Sequence, residues 1–208
     1  MKLSLILLAS GWSRRLGRNK LLEPLGGRLM AEYALSAADE FCRRCREHDI
    51  EIEGILVTRY SAVAALVGGR ELRVVENPDP DQSDSVKRGL RACAEGTEAC
   101  LFMSCDQPFL SEESLWKLAM AFQADSTRPY RLSFAGEAAM PAIFPQRLFP
   151  RLLALTGDRG GGSILRDSAV HTGLVEAGSA RELMDIDTEE ALAAAAVLLQ
   201  TAEEDRDL

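Results

Sequence analysis

Histidine is scarce in this chain: His48 and His171 are the only two among 208 residues, and neither stands in a motif. Long apolar runs are missing too. None approaches the ~20 residues that a membrane-spanning helix needs. Positive charge is not in surplus, since the formal net charge is −8. That balance argues against bulk nucleic-acid binding, which wants a basic face, but it permits a basic pocket in an acidic surface. Two common phosphate-loop patterns are also absent. Without G-x-G-x-x-G, a dinucleotide fold is not indicated. Without G-x-x-x-x-G-K-[ST], no hydroxyl stands ready for magnesium, because Leu21 follows Lys20. Cysteine is present in an odd number: Cys42, Cys45, Cys93, Cys100 and Cys105. With no secretory leader recognised, five unpaired thiols suggest a reducing cytoplasm. Cys42 and Cys45, with His48 nearby, look like half a zinc site. No second pair with ligand spacing follows, and i, i+3 is also one face of a helix, so packing is the better reading.

What is there begins with the apolar run Leu3 to Ala9. It mimics a signal peptide, but it is short and basic residues follow at once, so a buried first strand is expected. The run feeds a loop carrying Gly11, Ser13, Arg14, Arg15, Gly17, Arg18 and Lys20. Glycines let backbone N–H groups turn toward an anion, and the cations neutralise it. A basic loop in an acidic chain would focus an anionic ligand onto one spot. The plainer alternative is an ordinary strand–loop–helix corner with solvated arginines.

The length fits one domain, expected over residues 1–202, with an acidic frayed tail at 203–208. Strand-like and helix-like patterns alternate. Strands are expected at Leu3–Ala9, Gly54–Thr58, Leu72–Glu76 and Cys100–Cys105. Helices are expected at Met30–Cys45, Ser61–Val67 and Ser83–Ala94, with another opened by Ser111 through a near capping box. This rhythm argues an α/β fold: a single three-layer domain with a mostly parallel twisted sheet and helices on both faces. The second half is less regular. Arg131–Phe134 and Ala142–Phe144 read as strands of a small antiparallel excursion. Pro145 and Pro150 bracket a short helix, Ser163–Asp167 begins another, and Leu174–Glu176 is a last strand. Thr188 caps a final helix to Gln200.

Ligands of open α/β sheets sit beyond the carboxyl ends of the strands. Asp106 is the first charged group at the end of an apolar strand, and Pro108 stops that strand from continuing. A carboxylate there suits magnesium, which takes one or two carboxylates plus phosphate oxygens. Capping of the Ser111 helix is the alternative. Asp185 and Asp187 flank Ile186, so an extended backbone points both to one side. Taken alone, Asp187 reads as a cap at the mouth of the last helix. The segment Gly157–Gly162 puts three glycines ahead of a helix N-terminus; an anion site and a flexible surface loop are equally good readings.

Together these segments resemble the molybdenum cofactor nucleotidyltransferases, in particular the cytidylyltransferase branch of that Rossmann-like superfamily. The family pattern L-A-A-G-x-S-x-R-M-G-x-x-K is met by Leu8, Ala9, Gly11, Ser13, Arg15, Gly17 and Lys20, with Ser10 for an alanine and Leu16 for a methionine. Asn77-Pro78 followed by Gln82 to Gly89 resembles the nucleotide-base segment. Asp106 to Leu110 resembles the metal-binding strand end. Gly157 to Gly160 resembles the second-substrate loop, and Asp185 to Thr188 the closing motif. The resemblance spans nearly the whole chain, with five segments in order.

The resemblance implies roles. Gly11, Ser13, Arg15 and Lys20 would hold the triphosphate of CTP, Ala9, Ser10 and Gly17 would contact the same nucleotide, and Arg15, Lys20 and Asp106 would stand at the chemistry. Asn77, Ser83 and Ser85 would contact the base or ribose. Asp106 and Asp187 would hold Mg2+. Gly157, Asp158, Arg159, Gly160 and Asp185 would face molybdopterin. The run Asp84-Ser85-Val86 also resembles the isoprenoid-pathway cytidylyltransferases, which favours cytidine. Departures exist. The base segment is about two residues short and lacks a glycine before Gln82. Ala139-Met140-Pro141 stands where the family often has Gly-His-Pro. Gly161 and Gly162 replace the usual Ala-Arg, which removes a cation from the acceptor loop. The implied reaction is attack by the molybdopterin phosphate on the α-phosphorus of CTP. Alignment and charge neutralisation suffice, because the nucleophile is already an anion. The alternatives are another NTP such as GTP, a sugar or polyol phosphate acceptor, or a carrier that delivers cofactor. Transient docking to a molybdenum hydroxylase is compatible with each.

Overall fold

The apolar run near the start forms β1 (Lys2–Ala9), an interior strand of the sheet. Alternation along it sorts its side chains to two faces. Leu3, Leu5, Leu7 and Ala9 pack to one side, and Ile6 to the other, all of them buried. The computed structural model describes residues 1–13, 15–79 and 81–204, the last three by backbone alone; Arg14 and residues 205–208 of the expected tail lie outside these.

After β1 come a one-turn 3-10 helix (Lys20–Leu22), a small hairpin of β2 (Pro24–Leu25) and β3 (Arg28–Leu29), and α1 (Met30–Glu47). There follow β4 (Glu51–Thr58), α2 (Ser61–Ala65), β5 (Leu72–Glu76), α3 (Gln82–Arg91), β6 (Ala99–Ser104) and α4 (Glu112–Ala124). The rest comprises β7 (Tyr130–Phe134), β8 (Glu137–Pro145), α5 (Phe149–Leu153), α6 (Gly162–Leu165), β9 (Gly173–Glu176) and α7 (Glu189–Glu204).

The main sheet runs β5-β4-β1-β6-β8-β7-β9. Its first four strands are parallel. β8 then runs antiparallel to both β6 and β7, and β9 is parallel to β7. The expected α/β domain, a mostly parallel sheet with a small antiparallel part, is therefore present. From β1 the chain steps outward through β4 to β5, then returns to place β6 on the other side of β1. That reversal leaves a crevice beyond the carboxyl ends of β1 and β6, where such sheets bind ligands.

One core lies between the sheet and α1, α2 and α4, and a second between the sheet and α3, α5 and α6. Gly89 fixes how close α3 comes. A Cβ there would stand 2.6 Å from Ile6 Cγ2 and 3.2 Å from Val57 Cγ2. α3 thus rests directly on β1 and β4, and its first turn sits at the rim of the crevice. A third, smaller cluster joins α7 to the hairpin: Ala195 and Ile186 pack with Leu25 and Met30.

The structure extends several expected elements. β4 begins at Glu51, before the expected Gly54, because Lys2 pairs in register with that polar start. A short 3-10 helix (Gln146–Leu148) lies between Pro145 and Pro150 as expected, and Pro150 then stands in the first turn of α5, where a missing N–H costs nothing. α7 continues past Gln200 to Glu204. The β2–β3 hairpin, unforeseen, turns through Gly26 (φ 53°) and Gly27 (φ 77°), the two left-handed residues such a tight turn needs. Cys42 and Cys45 lie in the core, and burial pushes both thiols up to about 12. His48 turns to Trp116 instead, with ring centroids 4.8 Å apart. Among the described residues no group of three or more His, Cys, Asp or Glu stands ready for a metal ion. None of the described helices is long and apolar enough to cross a membrane.

Candidate active site

The crevice opens into a cavity of about 990 Å³. This is at the upper end for a small-molecule site, with room for two substrates. Three segments far apart in sequence meet at one end of it: the loop after β1, the turn after β6, and the segment before α7.

The loop after β1 is shaped by its own backbone. Ser13 takes a left-handed conformation (φ 49°) and its carbonyl accepts from Leu16 and Gly17 N–H, each at 3.1 Å. Gly17 (φ 69°) turns the chain back. The Ser13 hydroxyl then accepts from Lys20 N–H at 3.2 Å, and Asn19 Oδ1 caps the following turn through Leu21 N–H at 3.1 Å. The outcome is a lysine whose side chain is largely buried yet aimed across the crevice.

Lys20 Nζ donates to Asp106 Oδ2 at 2.5 Å and also to Asp187 Oδ1. Residues 86 and 167 positions apart in sequence are thereby gathered on one ammonium. Asp106 does not cap the Ser111 helix: its second oxygen accepts from Ser104 Oγ, and Ser111 caps α4 itself by accepting from Ser114 N–H at 3.2 Å. The closing segment is clipped to the strand end, since Ile186 N–H donates to the Asp106 carbonyl at 3.0 Å. Ile186 is buried and the acids on either side of it both line the cavity, the alternation expected of an extended backbone. Burial would lower the Lys20 pKa, but Asp106 and Asp187 outweigh it, so the ammonium titrates above its ordinary value. Asp185 is pushed up to about 6, first by burial and then by the Asp106 and Asp187 charges.

Much of the loop's positive charge is already met. Arg15 Nη1 stands 3.4 Å from Asp187 Oδ2, with both side chains open to solvent. Arg18 bonds Glu23 at 2.7 Å and also Glu189, so it ties the loop to α7 and does not serve the cavity. The expected basic spot is therefore a network of paired charges.

Oxygen donors of this kind suit a divalent cation. Asp106 and Asp187 converge on one cation-sized position, and magnesium needs only one or two carboxylates before phosphate and water complete its shell. The residues present fit such an ion.

Ala9, Ser10, Gly11, Ser85, Asp158, Arg159 and Gly160 also line the cavity. Ser10 does so by backbone, because its hydroxyl donates to the Val57 carbonyl at 3.2 Å. Four expected contact residues stand elsewhere. Gly17 shapes the loop from outside. Asn77 is fully buried behind Ser85 and donates to its Oγ at 2.8 Å, so it orients that hydroxyl from behind. Ser83 is buried, and its N–H donates to the Gly157 carbonyl at 3.2 Å; these two residues join α3 to the glycine loop. The loop needs its glycines to lie down. A Cβ on Gly161 would stand 2.7 Å from Phe144 Cζ, and one on Gly160 2.8 Å from the Gln82 amide.

The sequence reading missed several lining residues. Trp12 stands beneath Arg59, whose guanidinium carbon is 3.6 Å from its ring centroid. Behind the lining, Gln107 is buried, and its amide donates to the Met140 carbonyl at 3.3 Å. Arg131 and Arg166 line the same cavity, with the glycine loop. No local motif marks either arginine, because each reaches the cavity only through tertiary packing.

Residues 5–173 match the model of the MobA-like NTP transferase domain. The purine catabolism protein PucB of Bacillus subtilis (strain 168) is 30% identical over 200 residues, covering 89% of this chain and 91% of that protein. Among solved structures, a nucleotidyl transferase from Methanothermobacter thermautotroptrophicus superposes with a TM-score of 0.78 at 24% identity, covering 96% of this chain and 98% of the other. The 4-diphosphocytidyl-2C-methyl-D-erythritol synthase of Anaerococcus prevotii DSM 20548 gives 0.74 at 19% identity, covering 95% and 98%. Asp185 and Asp187 lie beyond the residues matched to the domain model.

Proposed function

The chain belongs to the MobA-like NTP transferase family, and from that premise we propose that it transfers CMP from CTP to the phosphate of molybdopterin and releases pyrophosphate. One observation carries the reading: Lys20 from the loop after β1 is gripped by Asp106 from the end of β6 and Asp187 from the start of α7. A cation and two carboxylates brought together at a sheet's switch point make a site for phosphoryl chemistry rather than for hydride transfer or hydrolysis by a nucleophilic side chain.

The residues divide the work. Backbone of Ala9 to Gly11 receives the nucleotide, with the Ser85 hydroxyl held in place by Asn77. Lys20 stays protonated and, with Arg15, meets the charge that builds on the leaving pyrophosphate. Asp106 and Asp187 would hold a magnesium ion, which when bound neutralises phosphate oxygens. The acceptor phosphate is already an anion, so no side chain need remove a proton; the chain has to align it for in-line attack. Asp158 to Gly162 of the glycine loop wall the same cavity, and the Gly157–Gly162 loop would receive the pterin. The Asp84-Ser85-Val86 run, similar to the isoprenoid cytidylyltransferases, supports cytidine as the base. A purine catabolism protein as relative fits a molybdenum hydroxylase as the client.

The test is pyrophosphate release from CTP, GTP, ATP and UTP, each with molybdopterin, a sugar phosphate and a polyol phosphate as acceptor. CTP with molybdopterin should exceed every other pair by at least tenfold. A GTP preference overturns the base assignment, and turnover on a sugar or polyol phosphate overturns the acceptor.

A further inference from the structure

The part of the cavity lined by β7 and the residue after α6 holds positive charge that no carboxylate pairs among the described residues. Arg131 sits in β7 on the face opposite Tyr130 and Leu132, which pack into the α1/α4 core. Its own face is the one where Ala142 and Phe144 pack beneath α6. A cation there is out of place unless something holds it. Two backbone carbonyls do: its Nε donates to Ala139 at 3.2 Å and its Nη2 to Ala138 at 2.9 Å. Both acceptors are neutral. Among the described residues no carboxylate stands within ion-pair distance of Arg131 or Arg166, and nearby Asp167 is taken by Arg151 at 2.6 Å.

Arg166 follows α6 directly and reaches back over its first turn. Its Nη1 would stand 3.4 Å from a Cβ on Gly162. Gly162 thus leaves open the space the guanidinium uses. The two arginines face the same cavity, and Arg166 adds its repulsion to the burial that lowers the Arg131 pKa. Two like charges, one half-buried, with no counter-charge from the protein are a standing cost that a bound anion would remove.

We infer that Arg131 and Arg166 form an anion-recognition subsite that selects acceptors bearing a second negatively charged group besides the phosphate that reacts. The inference rests on the proposed reaction for which end of the cavity the acceptor enters. It goes further in requiring an acceptor charged at both ends. The held guanidinium of Arg131 gives a fixed fork for an anion's oxygens, and the exposed Arg166 faces them from the solvent side.

The experiment uses the full chain saturated with magnesium and a non-hydrolysable CTP analogue, titrated with inorganic phosphate by calorimetry. Wild type should bind phosphate saturably. Arg131→Gln and Arg166→Gln should each weaken that binding at least tenfold, with analogue affinity changed less than twofold and Arg166→Lys recovering part of the loss. Arg166 is exposed, so its variant reports even if Arg131→Gln folds poorly. In pyrophosphate release the same variants should raise the molybdopterin KM and leave the CTP KM alone. Unchanged phosphate binding in both variants, or an equal loss of analogue affinity, overturns the subsite. Absence of wild-type turnover with molybdopterin overturns the proposed reaction instead, while the phosphate titration still decides the subsite.

Discussion

The two ends of the cavity solve the problem of unmatched charge in opposite ways. At the Lys20 end, an ammonium and two carboxylates neutralise one another before any ligand arrives. At the Arg131 end, two guanidiniums stand without a carboxylate partner among the described residues, and that of Arg131 leans on two neutral carbonyls. The first end is a set of ion pairs that must be re-partnered when phosphates bind. The second is a charge waiting to be matched. Binding at the first end exchanges partners, so it gains alignment more than raw attraction. Binding at the second end gains attraction outright.

The largest expected effect breaks the paired end. Lys20→Ala and Asp106→Ala should each lower the rate of pyrophosphate release by about 10²–10³-fold or more, because each removes a preorganised charge from the transferring phosphates. Both variants should fold, since the strands beneath are apolar and unaltered. Lys20→Ala also leaves Asp106, Asp185 and Asp187 facing one another with no counter-cation at their centre. Magnesium chloride without nucleotide should therefore raise its melting temperature by more than it raises that of wild type. Full turnover by Asp106→Ala would remove Asp106 from the chemistry.

The same asymmetry explains what could be read from residues alone. The paired end is spelled locally. Gly11 to Lys20 is one short stretch, Asp106 terminates a plain apolar strand, and Asp185 and Asp187 show their common side by alternation about Ile186. What could not be read is that Arg18 is taken up by Glu23 and Glu189, or that Asn77 stands behind Ser85 rather than beside the ligand. Spacing reports which groups are near in sequence, and burial decides which face a cavity. The acceptor end has no contiguous spelling at all. Arg131 comes from an antiparallel strand, its two carbonyl partners from the next one, and Arg166 from beyond a short helix. The parallel half was legible because β1 and β6 are largely apolar and Ser111 caps α4. The polar start of β4 at Glu51 and the Gly26–Gly27 hairpin were not, since their signals are short and tertiary pairing settles them.

An intermediate effect tests how firmly the glycine loop is laid against the sheet. Gly161→Ala would drive a methyl to 2.7 Å from Phe144, whose ring is fixed edge-on to Phe102 at a centroid distance of 5.8 Å. It should cost roughly 1–3 kcal/mol of stability and raise the acceptor KM, leaving nucleotide affinity alone. Gly160→Ala meets only the end of the Gln82 side chain, which can turn aside. Its stability should stay within about 0.5 kcal/mol of wild type, the range of an ordinary tolerated substitution. Denaturant titration of both variants checks the difference. Equal losses would mean that the loop is anchored elsewhere, and the two ends would then be coupled through α3.

The smallest effect asks whether the paired end carries a surplus of negative charge. Asp185 has a folded-state pKa of about 6 against the ordinary 3.8, owing first to burial and then to Asp106 and Asp187. A carboxyl raised in this way is harder to ionise in the folded chain than in the unfolded one. Its ionised form therefore opposes folding. The penalty is absent below 3.8, where both states are protonated, grows between 3.8 and about 6, and is constant above. Asp185→Asn removes it. The melting temperature of the variant should exceed that of wild type by about a few degrees at most above pH 7, because cavity water screens the group, and the gain should fade as pH drops toward 4. A gain that does not vary with pH would assign the stabilisation to packing. A loss at high pH would mean that Lys20 and Arg15 already over-neutralise the acids, and the contrast between the two ends would reduce to one of exposure alone.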